Sequence, residues 1–214
     1  LGDTIPPERK IAQKYQVSVG TVRQAISQLV DEGYLYRVQG KGTFVRETGI
    51  PHEHLRYYAF IQDFEDPVPP IITDLLSRRV VHGSKRATHL LKLQSGKDLF
   101  EIKRRIFVNR KPMVLSISYL PCDLFKGLEA LPDEVFYKEA LYLLVEKHFG
   151  RPTIRNQELF SIEPAGADLK KFLQVALQAP VLQIEMLSFT FNDRPSESRL
   201  SHCRTASGSI ARPV

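Results

Sequence analysis

A short run of polar, small and basic side chains lies close to the start of the chain. Its members are Ser18, Gly20, Thr21, Arg23 and Gln24. Hydroxyl groups bond phosphate oxygens, and a glycine lets the backbone approach a phosphate closely. An arginine fork reaches O6 and N7 of guanine together. The run therefore predicts contacts to phosphates and base edges.

Two helices would position these side chains. The sequence of residues 6–15 predicts a short helix that starts with prolines. Ser18 is a good N-cap for a second helix over about 19–32. The second helix carries an apolar stripe of Val22, Ala25, Ile26, Leu29 and Val30, and Gly33 follows its end. Two helices joined by a three-residue turn predict a helix-turn-helix.

A hairpin is expected directly after the second helix. Residues 34–38 and 43–46 predict two short strands, and Gln39-Gly40-Lys41-Gly42 predicts the tip between them. Lys41 fits a contact to the minor groove or to the DNA backbone. From Arg9 to Arg46 there are seven basic residues and two acidic ones, which favours a nucleic-acid partner.

Residues 2–46 resemble the winged-helix domain of the GntR family of bacterial transcription regulators. The matching stretches are Pro6–Arg9, Val17-Ser18, Gly20–Ala25, Asp31–Leu35 and Gln39–Val45. The resemblance implies that Arg9 and Arg23 contact bases or phosphates and that Ser18 and Thr21 contact phosphate. It also implies that the tip from Gly40 to Gly42 enters the minor groove.

Two features differ from the usual pattern of this family. Val19 occupies a position that is often arginine, and valine contacts a thymine methyl but cannot read guanine. The family also has a helix before this point, so we expect the first helix of the domain to be missing from the chain.

Composition narrows the function classes. The chain has 214 residues, 43% hydrophobic and 25% charged residues and a net charge of +6, as in a globular protein of one or two domains. No apolar run is long enough to cross a membrane, and no export signal is visible. With only two cysteines, a reducing cytoplasm is the expected location. His52 and His54 form a weak pair without further ligands, so neither a metal nor a cofactor is expected.

The remainder of the chain predicts an antiparallel sheet with helices, which gives an α+β fold. Strands are expected over 98–108, 113–120, 181–191 and 196–204, and helices over 135–149 and 165–177. Tight turns join consecutive strands, which is typical of antiparallel pairing. The predicted division is a DNA-binding domain at 1–46, a linker at 47–58 and a second domain at 59–214.

Arg104 is unusual because it lies on the apolar face of the first of these strands. Phe100, Ile102, Ile106 and Val108 share that face. A buried guanidinium needs a partner. One interpretation is a buried ion pair with Glu197 or Glu185, and the other is an anionic ligand held by the arginine fork.

The second half resembles the UTRA domain, the effector-binding domain of the HutC subfamily, which has a fold like that of chorismate lyase. The resemblance is clearest at Arg104–Pro121, Gly150, Ala179–Leu182 and Asp193–Glu197. It implies that Arg104 and Glu197 line an effector pocket, with a loop around Phe60, Ile61, Gln62 and Asp63 over it.

Four positions in this half depart from the subfamily's pattern. Ile106 replaces an arginine, Ser116 a glutamate, Ala140 a serine and Cys203 a tyrosine that are common there. In relatives that bind sugar phosphates those polar groups hold the phosphate and the amine. We therefore expect a smaller, less charged effector or a vestigial pocket.

Three functions from different classes follow. The first is a transcription regulator, expected to be a repressor, which acts as a homodimer on a pseudo-palindromic DNA operator and responds to a small molecule. The second is a lyase-like enzyme, but no nucleophile–base pair is visible and His82, His89, His148 and His202 are scattered. The third is a metabolite-binding module without a regulatory role.

Overall fold

The chain divides into two compact units, residues 1–52 and 53–214. A computed structural model describes residues 4–31, 34–45, 59–61, 70–205 and 209–211.

The first unit is a helix pair followed by a hairpin. Its elements are α1 (Glu8–Tyr15), α2 (Val19–Asp31), β1 (Leu35–Val38) and β2 (Gly42–Val45). Ala12 of α1, Val22 and Ile26 of α2 and Leu35 of β1 form its buried core. Of the stripe expected on α2, Val22 and Ile26 are buried and Val30 is partly buried, whereas Ala25 and Leu29 are exposed, so that part of the expectation is wrong. The helix-turn-helix and the hairpin are thus confirmed, with strand bounds shifted by one residue.

The second unit is built on a six-stranded antiparallel sheet. Its elements in chain order are β3 (Ala59–Ile61), β4 (Ile71–His82), α3 (Lys85–Leu90), β5 (Asp98–Val108), β6 (Lys111–Pro121), α4 (Asp133–Lys138), α5 (Leu141–Phe149), β7 (Arg155–Pro164), α6 (Ala167–Leu173), β8 (Pro180–Thr190), β9 (Arg194–Arg204) and β10 (Ser209–Ala211). The sheet order is β4-β5-β6-β9-β8-β7, and β3 pairs separately with β10. Every pairing is antiparallel, so the α+β expectation is confirmed.

Helices cover both faces of this sheet. On the inner face, Phe100 and Ile102 of β5 pack with Phe136 of α4 and with Leu141 and Leu144 of α5. On the outer face, α3 forms a separate apolar cluster of Ala87, Leu91 and Leu99. Apolar side chains alternate along β5 because successive strand residues point to opposite faces.

Two helix predictions need correction. The predicted helix over 135–149 is two helices, because Glu139 and Ala140 adopt extended backbone angles. The apolar spacing continues across this break, so periodicity alone cannot detect it. The predicted helix over 165–177 is restricted to α6, which ends where Gln174 turns left-handed.

The strand predictions are correct where they were made, but they omit both edges of the sheet. The strand over 98–108 matches β5, and the other three match β6, β8 and β9 within two residues. Sequence analysis missed β4 and β7, the two outermost strands. Both are only half-buried or exposed along most of their length, so neither has the apolar alternation that marks an inner strand.

Gly83 provides a test of the packing at the start of α3. A Cβ there would collide with Thr88 Cγ2 and approach Leu99 Cδ1 to 2.9 Å and the Lys97 carbonyl oxygen to 3.0 Å. We expect Gly83→Ala to lower the free energy of unfolding by about 1–3 kcal/mol in urea titrations, because overpacking forces the backbone to shift. Gly166→Ala is the matched control, since a Cβ there meets nothing within 4 Å. Equal stability of the two variants would contradict this packing.

Candidate functional site

The start of α2 presents a capped and exposed helix terminus. The Thr21 backbone N–H donates to Ser18 Oγ at 3.0 Å, and the two hydroxyls lie 2.8 Å apart. This is the N-cap predicted from sequence. Ser18, Gly20 and Thr21 are all exposed, so their polar atoms and the positive end of the helix face solvent. An anion can approach this helix end.

Arg23 and Gln24 extend the same exposed surface by one turn. Arg23 forms an ion pair with Glu8 of α1, with Nη2 at 3.0 Å and Nε at 3.1 Å from Oε2. The arginine side chain is nevertheless 65% exposed. An exposed ion pair contributes at most about 1 kcal/mol, so the fork can be redirected at little cost. Arg9 is exposed on α1.

Val19 has a different environment from the other residues of this run. Its side chain is partly buried and packs against the core of the first unit. Much of its apolar surface is therefore used within the protein. Its expected contact with a thymine methyl stays a prediction.

The hairpin tip projects a single cation. Gly40 and Gly42 have φ values of 75° and 127°, which other residues rarely adopt, and Lys41 between them is exposed. The Lys41 backbone N–H donates to the Val38 carbonyl at 3.0 Å and closes the turn. Behind the tip, Tyr36 and Phe44 stack with ring centroids 5.4 Å apart. The tip therefore has a defined backbone and one charged side chain.

In the second unit, three neighbouring strands place a grid of side chains on the inner face of the sheet. The strand register gives three rows across β5, β6 and β9, namely Ile102–Ser118–Arg199, Arg104–Ser116–Ser201 and Ile106–Val114–Cys203. The middle of the grid is polar and buried, with Arg104 5% exposed and Ser118 fully buried. A polar patch of this kind inside a core needs partners or a ligand.

Arg104 is held by backbone rather than by a carboxylate. Its Nη1 lies 3.4 Å from the carbonyl oxygens of Phe136 and Glu139, at the end of α4. These carbonyls point at the guanidinium because the helix breaks there, and the C-terminal end of a helix is its negative end. Nε is buried and has no hydrogen-bond partner among the described residues. Burial, followed by the nearby Arg199, lowers the pKa of Arg104 to about 10, which leaves it charged at neutral pH.

Neither ion pair predicted for Arg104 is formed. Glu197 is bound by Arg199, with Nε at 2.7 Å from Oε1 and Nη2 at 2.9 Å from Oε2. Glu185 is bound by Arg86 on the opposite face of the sheet. The alternation of β9 places Glu197 and Arg199 on the same face, so a bidentate pair between them is the shorter connection. Among the described residues, no carboxylate is hydrogen-bonded to Arg104.

Two departures from the family pattern lie next to each other. Ile106 and Cys203 flank Val114 in one row and pack in an apolar cluster with Val108, Met113 and Ile184. Burial raises the pKa of the Cys203 thiol to about 12, so it acts as an apolar group at neutral pH. The row beside Arg104 is therefore apolar.

Of the other two departures, Ser116 lies in the polar row and Ala140 follows Glu139, whose carbonyl faces Arg104. Ser116 is buried opposite Arg104, and Ala140 caps the start of α5 without a side-chain hydrogen bond. A cleft of about 220 Å³ opens beside this face, and Arg78, Ile102 and Phe136 are among the residues that line it. Arg104 does not line that cleft.

Some expectations fall outside the described residues. His52, His54, Gln62 and Asp63 are among these, as is most of the predicted linker at 47–58. Phe60 and Ile61 belong to β3, so this part of the expected loop is a strand that pairs with Ile210 and Ser209. Within the described ranges, no group of His, Cys, Asp or Glu is placed to hold a metal. None of the helices described there has the length and hydrophobicity needed to span a membrane.

Sequence reasoning missed two charged partners. Glu8 was interpreted only as a favourable charge at the start of α1, whereas it holds Arg23. Arg199 was not considered, although it follows Glu197 by two residues on a predicted strand. That spacing alone places both side chains on one face and could have identified the pair.

Both units of the chain match known protein families. Residues 1–45 match the model for bacterial regulatory proteins of the gntR family, and residues 71–207 match the UTRA domain. The HTH-type transcriptional regulator YurK of Bacillus subtilis is 30% identical over 195 residues, which cover 89% of this chain and 78% of YurK. The HTH-type transcriptional repressor NagR of the same species is 27% identical over 190 residues, 88% of this chain and 76% of NagR.

A solved structure extends this similarity to the second unit. The ligand-binding domain of a GntR-family transcriptional regulator from Bordetella bronchiseptica superimposes with a TM-score of 0.68 at 26% identity, and the match covers 74% of this chain and 98% of that domain. The chain therefore belongs to the GntR family of bacterial regulatory proteins, as a HutC-type transcription regulator that combines a DNA-binding helix-turn-helix with a UTRA effector domain.

Proposed function

We propose that this regulator is a cytoplasmic repressor that binds a pseudo-palindromic operator as a homodimer and releases it when a small organic anion binds beside Arg104. Residues 1–46 would form the DNA-binding domain, 47–58 the linker and 59–214 the effector-binding and dimerisation domain. The observation that carries the effector half of this proposal is the buried Arg104, which has no carboxylate partner within the part of the chain that the structure describes.

In the DNA complex, the exposed start of α2 would lie in the major groove. Ser18, Thr21 and the backbone of Gly20 would bind a phosphate, while Arg23 and Gln24 reach base edges. Glu8 supports this assignment because it holds the Arg23 fork beside the helix start before DNA arrives. Arg9 would add a backbone or base contact, and the wing at Gly40, Lys41 and Gly42 would enter the minor groove.

The homodimer follows from the geometry of helix-turn-helix recognition. Two copies related by a two-fold axis read two half-sites about 34–36 Å apart, so the operator mirrors that symmetry. Effector binding would change the relative stability of the arrangements that fit and do not fit this spacing. Couplings of this kind are typically about 1–3 kcal/mol.

Charge and polarity define the effector class. Arg199 and Glu197 pair with each other, which leaves Arg104 as the one unpaired positive charge among the described residues of this patch. The adjoining row of Ile106, Val114 and Cys203 is apolar. These features favour a molecule with one carboxylate-type anion and an apolar body. A phosphate dianion would lack the second cation that a pair of arginines provides.

Substitution of Arg23 and Lys41 tests the DNA face. The probe is a duplex selected by the protein from a random DNA library. We expect Arg23→Ala to cost about 1–3 kcal/mol and to relax the sequence preference at one base pair. Lys41→Ala should weaken binding to all DNA sequences by a similar factor. It should also lower the slope of log affinity against log salt concentration by about one. Lys97→Ala in the other unit is the control. If Arg23→Ala and Lys41→Ala both bind DNA as the wild type does, the assignment of this surface to DNA binding is wrong.

Gly20→Ala separates folding from DNA contact. A Cβ at Gly20 would meet only Ser18 Oγ at 3.5 Å, an ordinary contact, and alanine favours helix by up to about 1 kcal/mol. We therefore expect a thermal midpoint that is equal or higher. Operator affinity should fall about tenfold, or about 1.4 kcal/mol, because the methyl group occupies the space of the phosphate. Full affinity would show that no phosphate approaches this helix end.

A thermal-shift screen of the 214-residue chain tests the effector pocket. The panel contains apolar monocarboxylates, amino acids, nucleosides and sugar phosphates. A ligand at 100 times its dissociation constant adds about 2.7 kcal/mol, and each kcal/mol raises the midpoint by about 2–4 °C. We expect a monocarboxylate to give the shift, and a stronger shift from a sugar phosphate would contradict the charge argument.

Arg104→Met locates that ligand. It removes the charge at similar volume, so stability should be unchanged or higher, while the ligand-induced shift should disappear. Arg105→Met is the matched control, because Arg105 faces away from the grid and binds Asp74 at 2.8 Å. A shift that survives in Arg104→Met would place the pocket elsewhere.

A further inference from the structure

The short helix α4 is bound to the sheet by an arginine at each of its ends. Arg78 of β4 binds the beginning of the helix, and Arg104 of β5 binds its end. α4 has six residues, and a helix of that length is not stable without tertiary contacts. The position of α4 therefore depends on its contacts with the sheet.

The contact at Arg78 is close and has several parts. Nε donates to Asp133 Oδ1 at 2.5 Å, and Nη1 donates to the carbonyls of Leu128 at 3.4 Å and Glu129 at 3.1 Å. The guanidinium carbon also lies 5.0 Å from the centre of the Phe136 ring. A planar fork bound in this way fixes both the position and the direction of the segment that leads into α4.

The contact at Arg104 is longer and less complete. Among the described residues, only Nη1 of Arg104 forms hydrogen bonds, at 3.4 Å to the carbonyls of Phe136 and Glu139. Hydrogen bonds from a charged nitrogen to a carboxylate usually measure about 2.7–2.9 Å. A carboxylate would offer Arg104 two charged acceptors in place of two distant neutral ones. It can therefore displace these carbonyls.

The surroundings of α4 allow its end to move. Glu139 and Ala140 have extended backbone angles, so α4 and α5 are not one continuous helix. A cleft of about 220 Å³ lies against Arg78, Leu128 and Phe136. The end of α4 can thus move without carrying α5 with it, and the cleft leaves room beside it.

We propose that Arg78 is a positioning residue of the effector site, and that a carboxylate bound to Arg104 releases the end of α4, which turns about its contact with Arg78. This inference rests on the proposed function, because it describes how the same site responds to its ligand. Arg78 does not contact the ligand but keeps the beginning of α4 in place. The carboxylate favours the released state because Arg104 is then free of the carbonyls, and this difference in affinity shifts the equilibrium.

Amide hydrogen exchange reports on the two ends of α4 separately. The Glu139 N–H donates to the Val135 carbonyl at 3.2 Å and reports on the end of the helix. The Leu131 N–H donates to the Leu128 carbonyl at 3.3 Å and reports on the segment that Arg78 binds. The 214-residue chain is used with sodium benzoate as the probe, because benzoate combines one carboxylate with an apolar ring.

We expect excess benzoate to speed exchange at Glu139 by about tenfold and to leave exchange at Leu131 unchanged, because a hydrogen bond to a charged group is lost at one end only. A ligand that only stabilises the folded protein slows exchange, so a local increase is a distinct sign. The increase should be absent in Arg104→Met. Unchanged or slower exchange at Glu139 in the wild type would overturn the release of α4.

Asp133→Ala tests the contact with Arg78. It should speed exchange at Leu131 by about threefold, as expected for the loss of a partly exposed ion pair. It should also lower the dissociation constant of benzoate, because a loosely held α4 leaves Arg104 more easily. A merely damaged site would bind benzoate more weakly, so the direction of this change identifies a positioning role.

Glu134→Ala is the matched control for this variant. It removes an exposed carboxylate from the same first turn of α4 and introduces the same residue. Arg78→Met should act in the same direction as Asp133→Ala, whereas Arg79→Met should have no effect, because Arg79 binds Glu101 at 2.8 Å instead. Equal exchange and equal benzoate affinity in Asp133→Ala and Glu134→Ala would overturn the role of Arg78.

Two further results separate this proposal from the proposed function. If benzoate raises the thermal midpoint through Arg104 without faster exchange at Glu139, the effector site stands and the release of α4 is wrong. If benzoate speeds exchange at Glu139 but leaves affinity for the selected operator unchanged, the release of α4 stands and its regulatory role is wrong.

Discussion

The burial of one guanidinium organises the effector domain. A charged group inside a core costs several kcal/mol unless its surroundings compensate for the lost water. Here the compensation for Arg104 comes from backbone carbonyls at the end of α4, which requires the helix to stop at Glu139. Arg104 belongs to a buried polar group that lies between two apolar clusters. The group also contains the break between α4 and α5, the serines on β6 and the neighbouring Arg199–Glu197 pair. A core with buried polar groups of this kind is less stable than an apolar one.

The DNA-binding unit consists of two short helices and a hairpin around a small core. Its small core is completed by a strand residue, so the recognition helix depends on the hairpin for its packing. The two glycines at the tip and the N-cap at Ser18 fix backbone conformation where the side chains are exposed. Exposed cations on a rigid frame give affinity for a polyanion without a large loss of entropy on binding.

Sequence alone predicted the elements that have a periodic apolar pattern or a characteristic residue at their ends. The helix-turn-helix follows from the apolar stripe of α2, the serine cap and the glycine-rich tip, all of which lie within a few residues of one another. β5 and its buried arginine follow from simple alternation. The partners of that arginine could not be predicted in the same way, because carbonyls of Phe136 and Glu139 carry no signature in their side chains. The edge strands β4 and β7 were not predicted, because a half-exposed strand need not alternate between apolar and polar residues.

The row formed by Ile106, Val114 and Cys203 has a consequence for how such a pocket changes over time. The two outer residues share one packed cluster, so neither can be replaced by a large polar residue independently of the other. An arginine introduced alone at Ile106 would add a second buried cation beside Arg104, and a tyrosine introduced alone at Cys203 would overfill the cluster. If the effector binds beside Arg104 as proposed, conversion of the site to one that binds phosphate would therefore require coordinated substitutions. Under that proposal a pair of positions would set the effector class, and each single substitution between classes would pass through a destabilised protein.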